Sequence, residues 1–382
     1  MTVLHIMPNV SRAFGGPTES LIGYVSAAST QGITAHIAAP RISDADRTWL
    51  VDALPSSAVL HEFGSLGRHA WVISPGLWVW LTRHCQRFEV VHVHGLFNPI
   101  SSISSRIAIA RHVPLVIRPF GTLSRYTFSR RSTLKKLYFR VLDRPALRKA
   151  SAVHFTTEAE QIEAQRHPLS LTGRSHIVPP PWRGDLENVN QAEKTKHPTV
   201  LFMSRLHPKK NVSGLLNAWE SVSAEYPKAE LIVAGNGDDD YVQMLQDQVS
   251  NLNIDQSVSF PGFVTGGEKD RLLRTSWLFV LPSHQENFGV AVLEALASGL
   301  PVVISDAVQL DAFVTANDLG MVVSRDDSAV ASALNTALGD QVWLTDRAER
   351  APKAVAETFS LARVGNQLHT MYASAQRKSI TT

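Results

Sequence analysis

Residues 277–303 read W-L-F-V-L-P-S-H-Q-E-N-F-G-V-A-V-L-E-A-L-A-S-G-L-P-V-V. Trp277–Leu281 is an apolar run of strand length. A polar, turn-rich stretch follows, Phe288–Ala297 predicts a helix, and Pro301–Ser305 is again a short β-branched run. Strand, helix, strand in so few residues is the unit that joins neighbouring parallel strands. The same alternation extends outward. Val200–Met203, Glu230–Ala234 and Val258–Phe260 read as buried strands, and Val212–Glu225, Asp240–Ser250 and Glu268–Arg274 as the helices between them. The first half repeats the pattern. Val3–Met7 runs into the loop S-R-A-F-G-G-P-T-E-S and a helix at Leu21–Ser29. Strands follow at Ile33–Ala39, Val90–Val93, Leu115–Ile117, Val153–Thr156 and His176–Val178. The fold class is α/β, with two Rossmann-like, doubly wound parallel-sheet domains. The expected boundaries are 1–182 for the first domain, a polar linker at 183–197, the second domain at 198–358, and a closing helix with a polar tail at 359–382.

Composition agrees with two packed domains. Of 382 residues, 44% are hydrophobic and 19% charged, which excludes a disordered chain. The single cysteine, Cys85, excludes a disulfide framework and a Cys-rich zinc site. The N-terminus lacks a basic n-region and reads as a first strand, not a signal peptide. No uninterrupted apolar stretch reaches the roughly 18 residues of a membrane span. Trp71–Leu81 comes nearest and holds Pro75 and Gly76. A cytoplasmic location is expected. The net charge of +3 conceals an asymmetry, because residues 1–182 carry 20 basic against 10 acidic side chains and residues 183–382 carry 17 against 24. A basic half favours an anionic partner, although segregated surface charge also occurs without one.

In open α/β sheets ligands bind beyond the C-terminal ends of the strands. Three post-strand segments of the second half carry chemistry. Glu286 and Glu294 flank Asn287-Phe288-Gly289, where a loop should become a helix whose first amides are anion donors. One carboxylate before that helix and one inside it could each hold a polyol, with a diphosphate between them. Taken singly, the same residues would read as a loop side chain and a solvated helix face. After Val200–Met203, S-R-L-H-P-K-K-N supplies Arg205 and Lys210, a guanidinium and an ammonium suited to a diphosphate. A basic solvated loop is the plainer alternative. After Glu230–Ala234, A-G-N-G-D places Gly235 and Gly237 where backbone could approach a flat ligand. Asp238–Asp240 reads as a helix N-terminus and not as a metal site.

Arg205 with Lys210, A-G-N-G, and above all Glu286-x7-Glu294 around F-G resemble the retaining glycosyltransferases of family 4. G-G-P-T-E-S and V-V-H-V-H-G-L-F in the first half support the likeness. The resemblance covers nearly the whole chain and implies a GT-B fold, two such domains facing across a cleft, the first for acceptor and the second for a nucleotide diphosphate sugar of UDP or GDP type. It implies that Glu294 holds ribose, Glu286 touches the donor sugar, and Asn287, Phe288 and Gly289 hold phosphate. Arg205 and Lys210 would stabilise the leaving diphosphate in place of a metal, and no cofactor is expected. Gly15 and Gly16 would close on the phosphates. The last helix would return to the first domain. Two positions depart from the family pattern. Phe120, in R-P-F-G-T-L, stands where relatives place a histidine, which leaves His94 and Arg118 with Phe120 as the acceptor-side candidates. V-P-P-P-W-R-G replaces V-P-N-G before the linker, and a stiffer hinge with Trp182 packed at it is expected.

From Arg118 to Lys149 there are ten basic residues and one acid, Asp143. Tyr126, Phe128, Tyr138 and Phe139 are interleaved, and Leu134, Leu137, Tyr138, Val141 and Leu142 form a helical stripe. The stripe either packs into the domain core or lies on an anionic membrane surface. No nucleic-acid-binding module is present. The sequence-based expectation is a metal-independent hexosyltransferase acting on a glycan or lipid-linked glycan in envelope polysaccharide assembly. Its rivals are an epimerase-like hydrolase on the same fold and a non-catalytic nucleotide-sugar-binding or membrane-docking subunit.

Overall fold

The computed structural model describes every residue except 68–70, 125–126, 128–131, 168, 170, 185–193 and 381–382. Tyr126, Phe128, the centre of the 183–197 linker and the last two residues of the polar tail therefore lie outside the described residues. The chain divides into two units, Met1–Arg183 with Phe359–Thr382, and Gly184–Thr358.

In the first unit, apolar β-branched runs become the interior strands β1 (Thr2–Ile6), β4 (Val90–His94), β5 (Leu115–Arg118) and β6 (Ala152–Phe155). With β2 (Thr34–Pro40) and the outer strands β3 (Val59–Phe63) and β7 (Ser175–Ile177), they form a sheet in the order β3-β2-β1-β4-β5-β6-β7, every pair parallel. Side chains alternate between its faces. One face sends Leu4, Ile6, Val91, Val93 and Ile117 against α3 (Pro75–His84) and α4 (Pro99–Ala110). The other sends Val3, Val90, Val116 and Ala152 against α1 (Gly16–Ser29) and the chain's final helix, Leu361–Ile380, through Tyr24, Ala27, Leu368, Met371 and Tyr372. The final helix thus completes the core of the first unit.

Between β5 and β6 the chain forms α5 (Ser132–Tyr138), a π-helical turn (Phe139–Asp143) and α6 (Arg144–Lys149). Phe139, Ala146 and Leu147 are buried there. Leu134, Leu137 and Val141 are 61%, 58% and 52% exposed. The stripe read from the sequence is therefore not the core-facing side of this segment. Its sole acid, Asp143, points inward instead. It is 1% exposed and accepts hydrogen bonds from the Phe97 amide at 2.9 Å and the Ser102 hydroxyl at 2.5 Å. Burial raises its carboxyl pKa to about 6.

The second unit contains β8 (Thr199–Met203), β9 (Glu230–Ala234), β10 (Val258–Gly262), β11 (Leu278–Leu281), β12 (Val302–Ser305) and β13 (Gly320–Val323). Its sheet runs β10-β9-β8-β11-β12-β13, also parallel throughout. In each sheet the strand order reverses once, at β1/β4 in the first and at β8/β11 in the second. The crevices beyond those strand ends are where a doubly wound sheet binds ligands.

Candidate active site

Two loops leave the reversal point of the second sheet. The loop after β8 holds Arg205 exposed, makes a short 3-10 turn at Pro208–Lys210, and enters the helix Val212–Glu225 through Asn211, whose φ is 56°. The loop after β11 holds Glu286 and turns at Gly289, φ 85°, into the helix Val290–Ala297. That helix begins two residues later than the sequence suggested. The loops are stitched together, since the His284 amide donates to the Lys209 carbonyl at 2.8 Å. The contact brings Lys210 Nζ into hydrogen-bonded ion pairing with Glu286 Oε2. Burial, with Lys209 and Arg205 alongside, lowers the Lys210 pKa, while the Glu286 carboxylate opposes the loss of its proton.

Glu286 is pinned at both backbone groups. Its amide donates to the Ala307 carbonyl at 2.9 Å, and its carbonyl accepts from Gln309 at 3.1 Å. Phe288 is buried, and Asn287 precedes the helix start. Glu294 lies inside the helix and accepts a 2.8 Å hydrogen bond from Lys269 Nζ. Lys269 belongs to the helix Gly266–Thr275, and no sequence signal singled it out.

Gly235 and Gly237 have a definite task. A Cβ on Gly235 would stand 1.9 Å from the Ser204 carbonyl oxygen, and one on Gly237 would stand 2.2 Å from that of Leu206. The two glycines are required because the backbone carrying Arg205 lies directly against them. They shape the Arg205 loop, and the close approach they permit is to protein. Asp238 takes the N-cap position of the helix Asp239–Asn251 without a side-chain capping hydrogen bond, and Asp238–Asp240 form a helix N-terminus as read from the sequence.

At the reversal point of the first sheet the same alternation that buries Val3, Val90, Val116 and Ala152 places His5, His92 with His94, Arg118 and His154 further along on that face. All five are at most 1% exposed. His94 is not a lone histidine. Its Nε2 is 3.0 Å from His5 Nδ1, and its ring stacks on His92 with centroids 4.2 Å apart. The tautomers of a second set follow from one fixed acceptor. The Val178 carbonyl accepts from His154 Nε2 at 2.7 Å, so neutral His154 must accept at Nδ1. His92 then donates through Nε2 at 3.3 Å and accepts the Tyr372 hydroxyl at Nδ1 at 3.0 Å. This directed chain ties the final helix to the sheet. Burial holds all four imidazoles neutral, with Arg118 as a further cause. His5 falls to about 3, and His92, His94 and His154 lie well below the ordinary value.

Ring nitrogens of His5, His92 and His94 lie within 4.8 Å of one another, a spacing that could hold a metal ion. The chemistry of the cluster opposes it. Both nitrogens of His92 are engaged, no carboxylate stands among the donors, and a divalent cation would meet the Arg118 charge. Arg118 is sandwiched between aromatic rings, with Cζ 4.6 Å from the Tyr24 centroid and 4.0 Å from that of Phe120. Phe120 has φ 59°, a left-handed backbone uncommon outside glycine. Gly15 and Gly16 open α1 in this same unit, with Gly15 as the N-cap.

Two family models match the chain in succession. The glycosyl transferase 4-like domain covers residues 15–181, and glycosyl transferases group 1 covers residues 185–356. The chain belongs to this glycosyltransferase family. An uncharacterised glycosyltransferase of Methanocaldococcus jannaschii is 29% identical over 204 residues, so that match spans about half of either chain. The phosphatidyl-myo-inositol mannosyltransferase of Propionibacterium freudenreichii subsp. shermanii is 28% identical over 96% of this chain and 93% of its own. Anabaena HepE, solved with UDP and glucose, superposes with a TM-score of 0.76 at 18% identity, covering 98% of this chain and 100% of that one. The architecture of this glycosyltransferase is GT-B.

Sequence reading singled out His94 and Arg118 but missed His5, His92, His154 and Tyr372. A signal was present. V-H-V-H in β4 has strand periodicity, which puts two imidazoles on one face. Which other strands lie beside β4 is a matter of sheet order, and that was not readable from spacing.

Proposed function

We propose that this glycosyltransferase moves a hexose-type sugar, with retention, from a UDP- or GDP-type nucleotide sugar to a hydroxyl of a glycan or lipid-linked glycan. Polysaccharide or envelope-glycan assembly is its natural setting. The observation that carries the reading is the Lys210–Glu286 ion pair at the β8/β11 crevice, with Arg205 beside it and Glu294 in the adjoining helix. Glu286 takes up the sugar hydroxyls, and Glu294, oriented by Lys269, takes up the ribose. The helix-start amides at Asn287–Gly289 hold phosphate. Arg205 and Lys210 then neutralise the charge that grows as the anomeric carbon–oxygen bond to phosphate breaks. The acceptor oxygen bonds to that carbon on the same face and passes its proton to the departing diphosphate oxygen. These two cations fill the role of a metal ion, so turnover persists with a chelator present. That HepE binds UDP and glucose supports a nucleotide-sugar donor.

The exposed stripe Leu134, Leu137 and Val141, flanked by exposed Lys136, Arg140, Arg148 and Lys149, supports attachment to an anionic membrane surface. No helix among the described residues is long and apolar enough to cross a membrane.

Thermal shift against a panel of nucleotide diphosphates and their sugars, followed by product analysis, tests the transferase reading. Saturable stabilisation by one donor and sugar on an acceptor are expected. Donor hydrolysis alone would establish the hydrolase instead, and binding without turnover the docking subunit. Flotation with anionic liposomes, sensitive to salt and lost in Leu137→Ser, is the result expected at the stripe. Equal flotation of wild type and variant would remove the membrane assignment.

A further inference from the structure

We propose that Arg118, with the unpartnered ring nitrogens of His5 and His94, recognises an anionic group on the acceptor, a carboxylate or phosphate next to the hydroxyl that receives the sugar. The proposal rests on the transferase reading and adds the acceptor's chemical class.

Arg118 closes β5, is 1% exposed, and leaves Nε and Nη1 without a hydrogen-bond partner. No carboxylate pairs with it among the described residues. Glu160, whose charge reaches it, has both oxygens engaged, Oε1 by the Gly121 amide and Oε2 by the Thr156 amide and hydroxyl. A guanidinium keeps its proton when buried, so it cannot relieve the cost of desolvation by becoming neutral. Stacking on Tyr24 and Phe120 offsets only part of that cost. The missing complement is an anion.

The imidazoles define what should accompany it. His5 Nδ1 and His94 Nε2 share one proton. Whichever ring donates, one remaining nitrogen is an N–H donor and the other a lone pair, and both His5 Nε2 and His94 Nδ1 lack partners. The group therefore offers a fixed cation, one further donor and one acceptor. An acid oxygen satisfies the first two, and an adjacent hydroxyl satisfies the third. His5 and His94 stand on β1 and β4, the strands at which the order of the first sheet reverses, and Arg118 stands one strand beyond. The Phe120 ring covers Arg118 and lies 5.9 Å from that of His94, on a left-handed backbone that marks this loop as constrained.

The test is thermal shift of the full chain at constant ionic strength. The probes are inorganic phosphate and D-glucuronate, with methyl glucoside and chloride as references and UDP and GDP in parallel. A saturable shift from at least one of the two anions is expected. Arg118→Gln should weaken it tenfold or more while leaving the nucleotide response unchanged. A response to phosphate alone assigns a phosphoryl group, and one to glucuronate alone an acidic sugar. If Arg118→Gln does not fold, His94→Gln replaces it and should weaken the same anion severalfold. Absence of any response beyond chloride in the wild type, or an equal response in the variant, overturns the proposal. An intact anion response beside a missing nucleotide response would fault the transferase reading and leave Arg118 standing.

Discussion

The two sheets end in crevices of opposite electrostatic design. At β8/β11 two cations have carboxylates, Lys210 with Glu286 and Lys269 with Glu294, these four side chains keep between 15% and 31% exposure, and Arg205 stands exposed beside them. At β1/β4 and the strands beyond it, four histidines and Arg118 are at most 1% exposed, and no carboxylate pairs with Arg118 among the described residues. A ligand entering the second unit exchanges one ion pair for another, so charge is balanced before and after. A ligand anion entering the first unit would be the first to pair with Arg118, beyond the Glu160 carboxylate whose charge reaches it from its own hydrogen bonds. The net charges of +10 and −7 for the two halves of the sequence fit this division. One crevice is built to release and re-form ion pairs; the other holds its imidazoles neutral and keeps one fixed charge.

The largest expected effect of that difference is on stability against pH. The folded pKa values of His5, His92, His94 and His154 are all lowered below 6.5. Below pH 6.5 the unfolded chain takes up protons that the native first unit refuses. The stability these groups contribute is therefore complete above about pH 6.5 and falls as pH drops towards their folded values, about 3 for His5. Each group gives a slope of up to about 1.4 kcal/mol per pH unit, and four together would dominate the unit. Asp143 works in the other direction, because its raised pKa means that falling pH through about 6 relieves a buried charge. Urea unfolding at pH 7.5, 6.5 and 5.5 should show the first unit weakening first. Equal losses in both units would mean that the histidine layer is not the acid-sensitive element.

The next effect is on turnover, and it belongs to the second unit. Arg205→Ala, Lys210→Ala and Glu286→Ala should each leave the circular dichroism spectrum unchanged. Losing a cation at the leaving diphosphate should cost roughly 3–4 kcal/mol of transition-state stabilisation, about a hundred- to thousandfold in kcat. Glu286→Ala also leaves Lys210, a largely buried ammonium, without its carboxylate. Its Lys210 should lose its proton more readily, and residual activity should shift to lower pH. Wild-type rates in any of the three would detach that residue from the chemistry.

Much of this fold was legible because buried parallel strands are unbroken apolar runs. Glu230–Ala234 and Val212–Glu225 were read with the bounds they have in the structure, and most of the other elements that were named lie within one or two residues, while helices such as Asp44–Ala53, Pro99–Ala110 and Asp327–Gly339 were not named. The edge strands Val59–Phe63 and Gly320–Val323 were missed, since a half-exposed strand such as V-L-H-E-F carries no such run. In the site, the side-chain types could be read but not their pairings. Lys210 and Glu286 are 76 residues apart, and only the adjacency of β8 and β11 brings them together. The histidine layer was hidden for the same reason, with its members drawn from β1, β4 and β6. The Leu134–Val141 stripe had the periodicity of a core-facing helix, and periodicity alone does not say whether a face is covered by protein.

The smallest expected effect separates structural from ligand-directed pairing within the second crevice. Lys269 and Glu294 are 31% and 16% exposed, so solvent screens their attraction, and Lys269→Met should change stability by less than about 1 kcal/mol. Its consequence for ligand should be larger than its consequence for fold. Lys269 fixes one oxygen of Glu294 at 2.8 Å, and without that restraint the carboxylate samples more rotamers before it can accept a ribose hydroxyl. The expected signature is a KM for donor raised severalfold with kcat nearly unchanged, because a group that binds ground state and transition state alike affects KM alone. Lys210→Ala should show the opposite split. If Lys269→Met instead lowered kcat with KM constant, the Lys269–Glu294 pair would belong with the leaving-group cations, and the division of labour inside this crevice would have to be redrawn.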